Sequence, residues 1–351
     1  MRQETMTPRE RWLAVLNREK PDRVPMDIWA TEETWQSLCA HMRCDRGEAC
    51  QRLHIDVPVT LEPRYAGPPL PAGQDIWGVS YRRVDYGSGV YDECANNPLA
   101  MYQTIEEIDA NYRWPCADWF DFSVLPRIAE EHRDRPIRGG GSEPFLIYKY
   151  LRGDTQAFLD LLMHPEIVQY CLEKMFAFSY EMTLRIFETV PGAVMITYVA
   201  EDLGGQDNLM LSPEQIREFL LPGMTRMMEL TRQHGSYVFH HTDGAVREIL
   251  PDLIAAGIQV LNPIQWRCRG MEREGLKRDF GDALIFHGGV DNQQTLPFGT
   301  ADDVRREVCD NLRILGANGG YILAPCHNIQ AVTPPENILA LYEAGYEEGW
   351  T

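Results

Sequence analysis

Short apolar segments alternate with amphipathic segments through the second half of the chain. The apolar segments are Ala193–Val199, Tyr237–His240, Gln259–Asn262, Leu284–His287 and Tyr321–Ala324, and helices are predicted from Ser212, Gly244, Thr300 and Pro334. Buried strands that alternate with helices indicate a parallel α/β architecture. Because no Gly-x-Gly-x-x-Gly follows a strand, the pattern favours a (β/α)8 TIM-type barrel over a doubly wound nucleotide-binding sheet.

The first third of the chain departs from this alternation. Thr7–Glu10 combines a capping box with proline at the first helical position, which predicts a helix start. Two short strands are predicted, at Arg23–Trp29 and Ile55–Leu61, with a helix over Thr31–Leu53 between them. Residues 74–100 alternate and are rich in turn residues, which predicts a β-hairpin.

The chain is long enough for one barrel domain and shows no break in composition. We therefore predict a single domain over residues 1–351, with a helical and β-hairpin elaboration in 1–110 and the main barrel in 111–351. Hydrophobic residues make up 44% of the chain, which is ordinary for a protein with a packed core.

Charge and cysteine content narrow the class of protein. The nine cysteines are an odd number without a Cys-x-x-Cys pair, which indicates reduced thiols and a cytoplasmic location. No signal-peptide pattern and no run of about 18 apolar residues is present, so no membrane partner is expected. The net charge of −19 argues against a nucleic-acid partner. The expected class is an enzyme or a small-molecule binder.

Polar side chains crowd where the predicted strands end, and the mouth of a barrel is where such ends meet. Four of the nine histidines occupy these positions, at 240, 241, 287 and 327. His241 and Asp243 are two residues apart, so on extended backbone they face the same side. With His327 from a distant strand end they make a candidate ligand set, and two imidazoles with one carboxylate suit catalytic zinc or non-haem iron. The alternative is that each histidine is an ordinary hydrogen-bonded residue.

Other polar residues at the strand ends are weaker candidates. Glu201 would be a fourth ligand, a base or an ion-pair partner, and His287 would contact substrate or hydrogen-bond within its glycine-rich loop. Asn328 and Gln330 are candidates for contacts to a cofactor, to substrate or to the metal ligands, or are turn residues. Cys326 would be a ligand or nucleophile only with a lowered pKa, and a buried inert thiol is the competing interpretation.

Several motifs resemble the uroporphyrinogen decarboxylase superfamily over nearly the whole chain. They are Thr7-Pro-Arg-Glu-Arg with Asp22-Arg-Val-Pro25, His241-x-Asp-Gly244, Phe286-His-Gly-Gly-Val-Asp291, Pro297-Phe-Gly-Thr300, and Ala324-Pro-Cys-His-Asn-Ile-Gln-x-x-x-Pro-Pro-Glu-Asn-Ile338. The resemblance implies a distorted (β/α)8 barrel. Decarboxylases of this superfamily carry an N-terminal Arg-Gln-Ala-Gly-Arg motif whose arginines hold substrate carboxylates, and the corresponding segment here, Pro25–Thr31, has none of it.

The sequence is more similar to the corrinoid-dependent methyltransferase branch. Its coenzyme M enzymes bind zinc through His-x-Cys-Gly and a later cysteine, and the matching positions here are His241, Asp243 and His327. Both thiolates are thus replaced, while all three positions keep side chains that can bind a metal. Zinc with two imidazoles and one carboxylate has a net charge of +1 (2 − 1), compared with zero (2 − 2) in that branch, and is the stronger Lewis acid.

The resemblance therefore implies a zinc-dependent first methyltransferase of an O-demethylase system. A methyl group would move from a small methoxylated, aromatic or similar donor to the cob(I)alamin of a corrinoid protein, with Glu201, Asp202 or His287 as the expected proton donor. Members of this branch commonly form dimers, so a homodimer is also expected. The alternatives are a decarboxylase-like lyase, a non-catalytic protein that binds a corrinoid or another small ligand, and an iron-dependent oxygenase.

Overall fold

The structure is a computed structural model that describes residues 3–85, 87 and 89–351. The described strands are β1 (Val59–Leu61), β2 (Arg64–Tyr65), β3 (Tyr81–Asp85), β4 (Val90–Cys94), β5 (Phe120–Asp121), β6 (Ile137–Ser142), β7 (Ile196–Val199), β8 (Tyr237–His241), β9 (Val260–Asn262), β10 (Ile285–Val290) and β11 (Tyr321–Pro325). Seven of them form one parallel sheet in the order β1-β6-β7-β8-β9-β10-β11. The mixed α/β barrel predicted from the sequence is confirmed.

Helices connect and cover the strands of this sheet. They are α1 (Pro8–Leu16), α2 (Glu32–Met42), α3 (Arg46–Arg52), α4 (Ile105–Asn111), α5 (Leu125–Glu131), α6 (Pro144–Arg152), α7 (Asp154–Met163), α8 (Pro165–Thr189), α9 (Pro213–Gln215), α10 (Leu221–Gln233), α11 (Leu250–Ala256), α12 (Arg273–Phe280), α13 (Thr295–Phe298), α14 (Ala301–Ile314) and α15 (Pro335–Glu348). A π-helical turn, Ile216–Leu220, joins α9 to α10. None of the described helices has the length and apolar character needed to cross a bilayer.

An extended segment between α1 and α2 lies between the two edge strands of the sheet. Met26 and Ala30 form parallel bridges to Leu323 and Ile329, at and beyond β11. On the other side, the backbone N–H of Asp56, just before β1, donates to the Met26 carbonyl at 2.7 Å. The segment predicted as a strand at Arg23–Trp29 therefore contributes to the barrel wall.

A buried ionic network fixes the start of this segment. The guanidinium of Arg11 donates to Asp22 at 2.7 Å and to Asp56 at 2.5 Å, and Arg23 donates to the other oxygen of Asp56 at 2.8 Å. Both guanidinium groups are almost fully buried, so each needs these carboxylates to compensate for lost hydration. The network ties α1 and the segment after it to the strand edge at β1.

Helix α1 also closes one end of the barrel. Trp12 is fully buried and belongs to an apolar cluster with side chains from five strands and from Val15, Leu16 and Met195. We call this group the floor cluster. Its strand residues are Ile196, Phe239, Val260, Ile285 and Ile322. The predicted capping box is present, because the Thr7 hydroxyl accepts from the Glu10 N–H and the Glu10 carboxylate accepts from the Thr7 N–H.

The structure changes two predictions for the first third of the chain. The single helix predicted over Thr31–Leu53 is wrong, because Arg43 adopts a left-handed φ of 54° and ends α2, and Asp45 caps the separate helix α3. The division at residue 110 does not separate elaboration from barrel, since β1 pairs with β6. The predicted hairpin is confirmed as the antiparallel pair β3–β4.

Candidate metal centre

Three predicted ligands meet at the ends of β8 and β11. His241 is the last residue of β8, Asp243 follows it by two, and His327 follows the end of β11 by two. One ligand atom from each lies within 4.8 Å of the other two. The Asp243 carboxylate lies 4.0 Å from His241 Nε2 through Oδ1 and 3.8 Å from His327 Nε2 through Oδ2. Residues 84 positions apart in the chain thus converge on one point.

The size and charge of this cluster fit a divalent cation. Ligand atoms about 2.1 Å from a tetrahedral zinc ion lie roughly 3.4 Å apart, so small side-chain rotations close the observed spacing. Burial lowers the pKa of both His241 and His327, which favours the neutral imidazoles that bind metals. Burial raises the pKa of Asp243, the adjacent His241 lowers it, and a bound cation favours the ionised carboxylate.

A chain of hydrogen bonds sets the tautomer of His241. The Asp27 carboxylate only accepts, so His287 donates to it through Nε2–H at 3.0 Å. His287 Nδ1 then accepts from the Asn262 amide Nδ2 at 2.7 Å, and Asn262 Oδ1 accepts from His241 Nδ1–H at 2.6 Å. The Nε2 lone pair of His241 is therefore left free and faces the Asp243 carboxylate, as a metal ligand requires. We call these four residues the Asn262 relay.

Two aromatic rings stack on the His241 imidazole and restrict its rotation. The Trp29 ring stacks on it at a centroid distance of 5.4 Å, and the Tyr198 ring does so at 5.7 Å. The Trp29 indole N–H also donates to Asp27 at 3.1 Å, which joins this wall to the Asn262 relay. The orientation of His241 is therefore fixed by packing as well as by hydrogen bonds.

The Asp243 carboxylate is positioned by two neighbouring loops. Gln265, after β9, donates to Asp243 Oδ1 at 2.9 Å and accepts from the Gly244 N–H at 2.7 Å. Asp202, after β7, accepts from the Asp243 N–H at 3.2 Å. The same Asp202 oxygen lies 3.6 Å from His241 Nε2, so this carboxylate adjoins the ligand set.

Gly244 permits the close approach of the loops after β7 and β8. Its φ is 85°, and a Cβ there would lie 2.4 Å from backbone atoms of Gly204.

We expect Gly244→Ala to lower the free energy of unfolding by about 1–3 kcal/mol and to weaken metal binding, measured by urea denaturation and metal titration. Gly192→Ala is the matched control, because Gly192 has a φ of 71° and open space around it. Equal effects of the two substitutions on metal binding would contradict the role of this contact.

The predicted catalytic residues occupy different environments. Asp202 lies beside the ligand set, as described above. Glu201 is buried, its Oε1 accepts from the Phe145 N–H at 2.7 Å in the first turn of α6, and burial raises the pKa of its carboxyl. His287 is fully buried, and both of its ring nitrogens are engaged in the Asn262 relay. Of these three residues, the structure brings only the Asp202 side chain to the three ligands.

The loop after β11 carries the other predicted residues. The Asn328 carbonyl accepts from the Asn292 side chain and from the Gln330 amide at 3.3 and 3.1 Å, so Gln330 braces the backbone beside His327. The Cys326 thiol is buried, donates to the Ile264 carbonyl, and has a pKa raised by burial. These contacts fit the interpretation of Cys326 as an inert thiol.

Sequence reasoning missed several residues of this site. Glu143 follows β6, and burial with repulsion from Asp202 raises the pKa of its carboxyl to about 7. Its place after a barrel strand was the available signal. Asn262 and Gln265 lie at a predicted strand end, but their roles and that of Asp27 depend on contacts between different strands, which the sequence does not show.

A cavity of about 570 Å³ lies inside the barrel, beside the metal centre. Trp12, Ile196 and Phe239 of the floor cluster line one part, and Trp29 and Tyr198, which stack on His241, line another. The remaining lining residues are Asp27, Ile28, Ala30, Trp35, Val57, Pro58, Thr60, Arg138, Gly140 and Asn328. The side chain of His327 is 38% exposed and that of His241 is 5% exposed, so the centre is open to solvent on the His327 side.

The chain is similar to known proteins in sequence and in fold. The sequence model of the family described as uroporphyrinogen decarboxylase (URO-D) matches residues 123–347. Curated uroporphyrinogen decarboxylases are similar over nearly their full length: 28% identical in Anaeromyxobacter dehalogenans, covering 97% of this chain and 99% of the relative, and 23% identical in Legionella pneumophila, covering 96% of both. A solved structure described as a methyltransferase from Methanosarcina mazei superimposes with a TM-score of 0.68 at 20% identity, covering 97% of this chain and 99% of the other.

Proposed function

This chain belongs to the uroporphyrinogen decarboxylase (URO-D) family, and we propose that it is a zinc-dependent methyltransferase acting with a corrinoid protein. The methyl donor is a small methoxylated aromatic compound or a similar methyl donor, and the acceptor is the cob(I)alamin of the partner. The observation that carries the proposal is the convergence of His241, Asp243 and His327 on one point beside an aromatic cavity. The fold shared with a protein described as a methyltransferase supports it.

The proposed chemistry needs a Lewis acid at the leaving oxygen. When bound by two neutral imidazoles and one carboxylate, zinc has a net charge of +1 (2 − 1) and polarises an ether oxygen as it acquires charge. The ground-state ether is neutral, so this stabilisation acts mainly on the transition state. Methyl transfer to the corrinoid leaves a phenolate, which takes up one proton.

The residues around the ligand set have separate roles in this proposal. Trp29 and Tyr198 hold His241 and form the cavity wall against which an aromatic ring packs. Asp202, 3.6 Å from His241 Nε2, is the proton donor to the departing phenolate. His287 acts as a positioning residue through Asn262, and the buried Glu201 carboxyl braces α6. Asn328 lines the cavity, and Gln330 supports its loop.

Decarboxylation is the second candidate function, because the curated relatives are named uroporphyrinogen decarboxylases. A tetrapyrrole with many carboxylates needs several cations. Among the described residues that line the cavity, Arg138 is the only cation, and Asp27 is an anion. The carboxylates of Asp202 and Asp243 near the mouth would also repel such a substrate. Methyl transfer therefore remains the preferred proposal.

The direct test is methyl transfer to free cob(I)alamin under anaerobic conditions. We expect zinc-loaded protein to form methylcobalamin from a methoxyaromatic donor, seen by its absorbance change, and expect chelation of the metal to abolish turnover. Release of carbon dioxide from uroporphyrinogen without methyl transfer would instead support the decarboxylase. Elemental analysis of anaerobically purified protein distinguishes zinc from iron. Ligand binding without turnover of any methoxyaromatic, methylamine or methylthiol donor would support a non-catalytic binding protein.

A further inference from the structure

Among the described residues that line the cavity beside the candidate metal centre, Arg138 is the only cation, and its charge is not paired with a carboxylate. Arg138, on β6, donates through Nε and Nη2 to Thr60 Oγ1 on β1, at 3.0 and 2.8 Å. Among residues 3–85, 87 and 89–351, no carboxylate lies within 4.0 Å of its guanidinium nitrogens. A guanidinium has five N–H donors, and these bonds use only two of them. Arg138 therefore has donors and a full charge available to a ligand.

One aromatic ring, that of Tyr198, lies near both Arg138 and a candidate metal ligand. The Arg138 Cζ lies 5.8 Å from the centroid of Tyr198, whose ring stacks on His241 at 5.7 Å. Because β7, which carries Tyr198, lies between β6 with Arg138 and β8 with His241, a ligand along the Tyr198 ring has a cation near one end and His241 near the other. The walls between them are rich in aromatic side chains: Trp29, Trp35 and Phe239 line the same cavity.

Asp27, the only anion among the described residues that line the cavity, does not neutralise this cation. Asp27 accepts from the N–H of Ile28 through Oδ1 and from Trp29 and His287 through Oδ2, so both of its oxygens are engaged. An anionic ligand would be repelled by most of a protein whose net charge is −19, and Arg138 supplies a local attraction inside the barrel. A guanidinium binds a carboxylate through two parallel hydrogen bonds, which fixes orientation as well as position.

From these contacts we infer that the cavity binds an aromatic carboxylate, with the carboxylate paired to Arg138 and the opposite end of the ring directed to the metal ligands. This inference rests on the proposed function, from which it takes the methoxy group as the part of the substrate that reacts. It adds that the substrate carries a negative charge. Arg138 then selects acids over neutral aromatic compounds of the same size. A purely structural Arg138 would only brace β6 against β1 through Thr60.

Binding of two probes to the zinc-loaded protein tests this inference. Benzoate and benzyl alcohol have similar size and differ in charge, and calorimetry measures both without a methyl group or a corrinoid. We expect wild type to bind benzoate roughly ten- to hundredfold more tightly, which is the range for a hydrogen-bonded charge. Arg138→Met should remove the preference, and Arg138→Lys should restore part of it, because lysine keeps the charge and loses the planar fork.

Two controls separate this result from changes in folding or net charge. Arg127→Met makes the same charge change on the exposed face of α5, where Arg127 pairs with Glu131, and it should keep the full preference. Zinc content and thermal unfolding report whether the Arg138 variants remain folded. Equal binding of both probes to wild type, or an unchanged preference in Arg138→Met, would overturn the inference. The second result would mean that benzoate binds the metal directly.

The methyl-transfer assay distinguishes failure of this inference from failure of the proposed function. Transfer from methoxybenzoate should have a KM at least tenfold below that for methoxybenzyl alcohol, and Arg138→Met should remove that difference. Equal transfer from both donors would refute the inference and leave the function standing. A benzoate preference without transfer from any donor would support the inference and refute the function.

Discussion

His241→Ala is expected to remove the bound metal and to lower kcat for methyl transfer by at least about 10³-fold, because a metal stabilises developing charge by several kcal/mol. His327→Ala should have the same effect on turnover. The remaining imidazole and the Asp243 carboxylate would then form a two-ligand site, which is too few for a catalytic zinc. Elemental analysis of the purified variants and the anaerobic absorbance assay measure the two effects.

His41→Ala is the matched control for these substitutions. His41 lies on α2 with a side chain that is 39% exposed, beside Glu336, and it is not one of the three clustered ligands. It should retain one metal per chain and full activity. If His241→Ala or His327→Ala kept stoichiometric metal with unchanged turnover, the three side chains would not be the metal ligands, and the proposed function would have no Lewis acid.

The alternation of strands and helices could be predicted because each strand of a parallel sheet is buried on both faces. The convergence of the three candidate ligands followed from the same reasoning, since a barrel gathers strand ends at one mouth. His240 and His241 are neighbours at the end of β8, but their side chains point to opposite sides of the strand and make different contacts. His241 faces the metal centre, whereas His240 donates through Nδ1 to the Val199 carbonyl and burial lowers its pKa to about 4.

The features that could not be predicted depend on contacts between distant segments. The sequence predicts a strand at Arg23–Trp29 but not its place in the barrel wall, because Met26 and Ala30 pair through isolated bridges with residues about 300 positions later. Arg138 occupies an ordinary strand position, and its free donors follow from the absence of a nearby carboxylate among the described residues. Such contacts cannot be predicted from the sequence, because the local hydrophobic pattern does not identify the neighbouring residue across a sheet.

Asn262→Leu is expected to lower the affinity for zinc by about ten- to hundredfold, which is typical when the hydrogen-bond partner of a metal ligand is lost. Leucine has a similar size, but it neither accepts from His241 Nδ1–H nor donates to His287 Nδ1. His241 could then adopt the other tautomer, whose protonated Nε2 cannot bind a metal. Competition with a chelating dye measures the affinity.

Loss of any buried asparagine destabilises a protein, so this prediction needs a comparison that isolates the tautomer effect. Asn337 is also buried, and its amide donates to the carbonyls of Leu296 and Gly299 at 2.8 Å, within contacts unrelated to the metal centre. Asn337→Leu should lower the free energy of unfolding by about 1–3 kcal/mol for each unsatisfied group and leave zinc affinity unchanged. Equal zinc affinities in the two variants would mean that stacking by Trp29 and Tyr198 alone orients His241, and that the hydrogen bonds from Asp27 onward serve only packing.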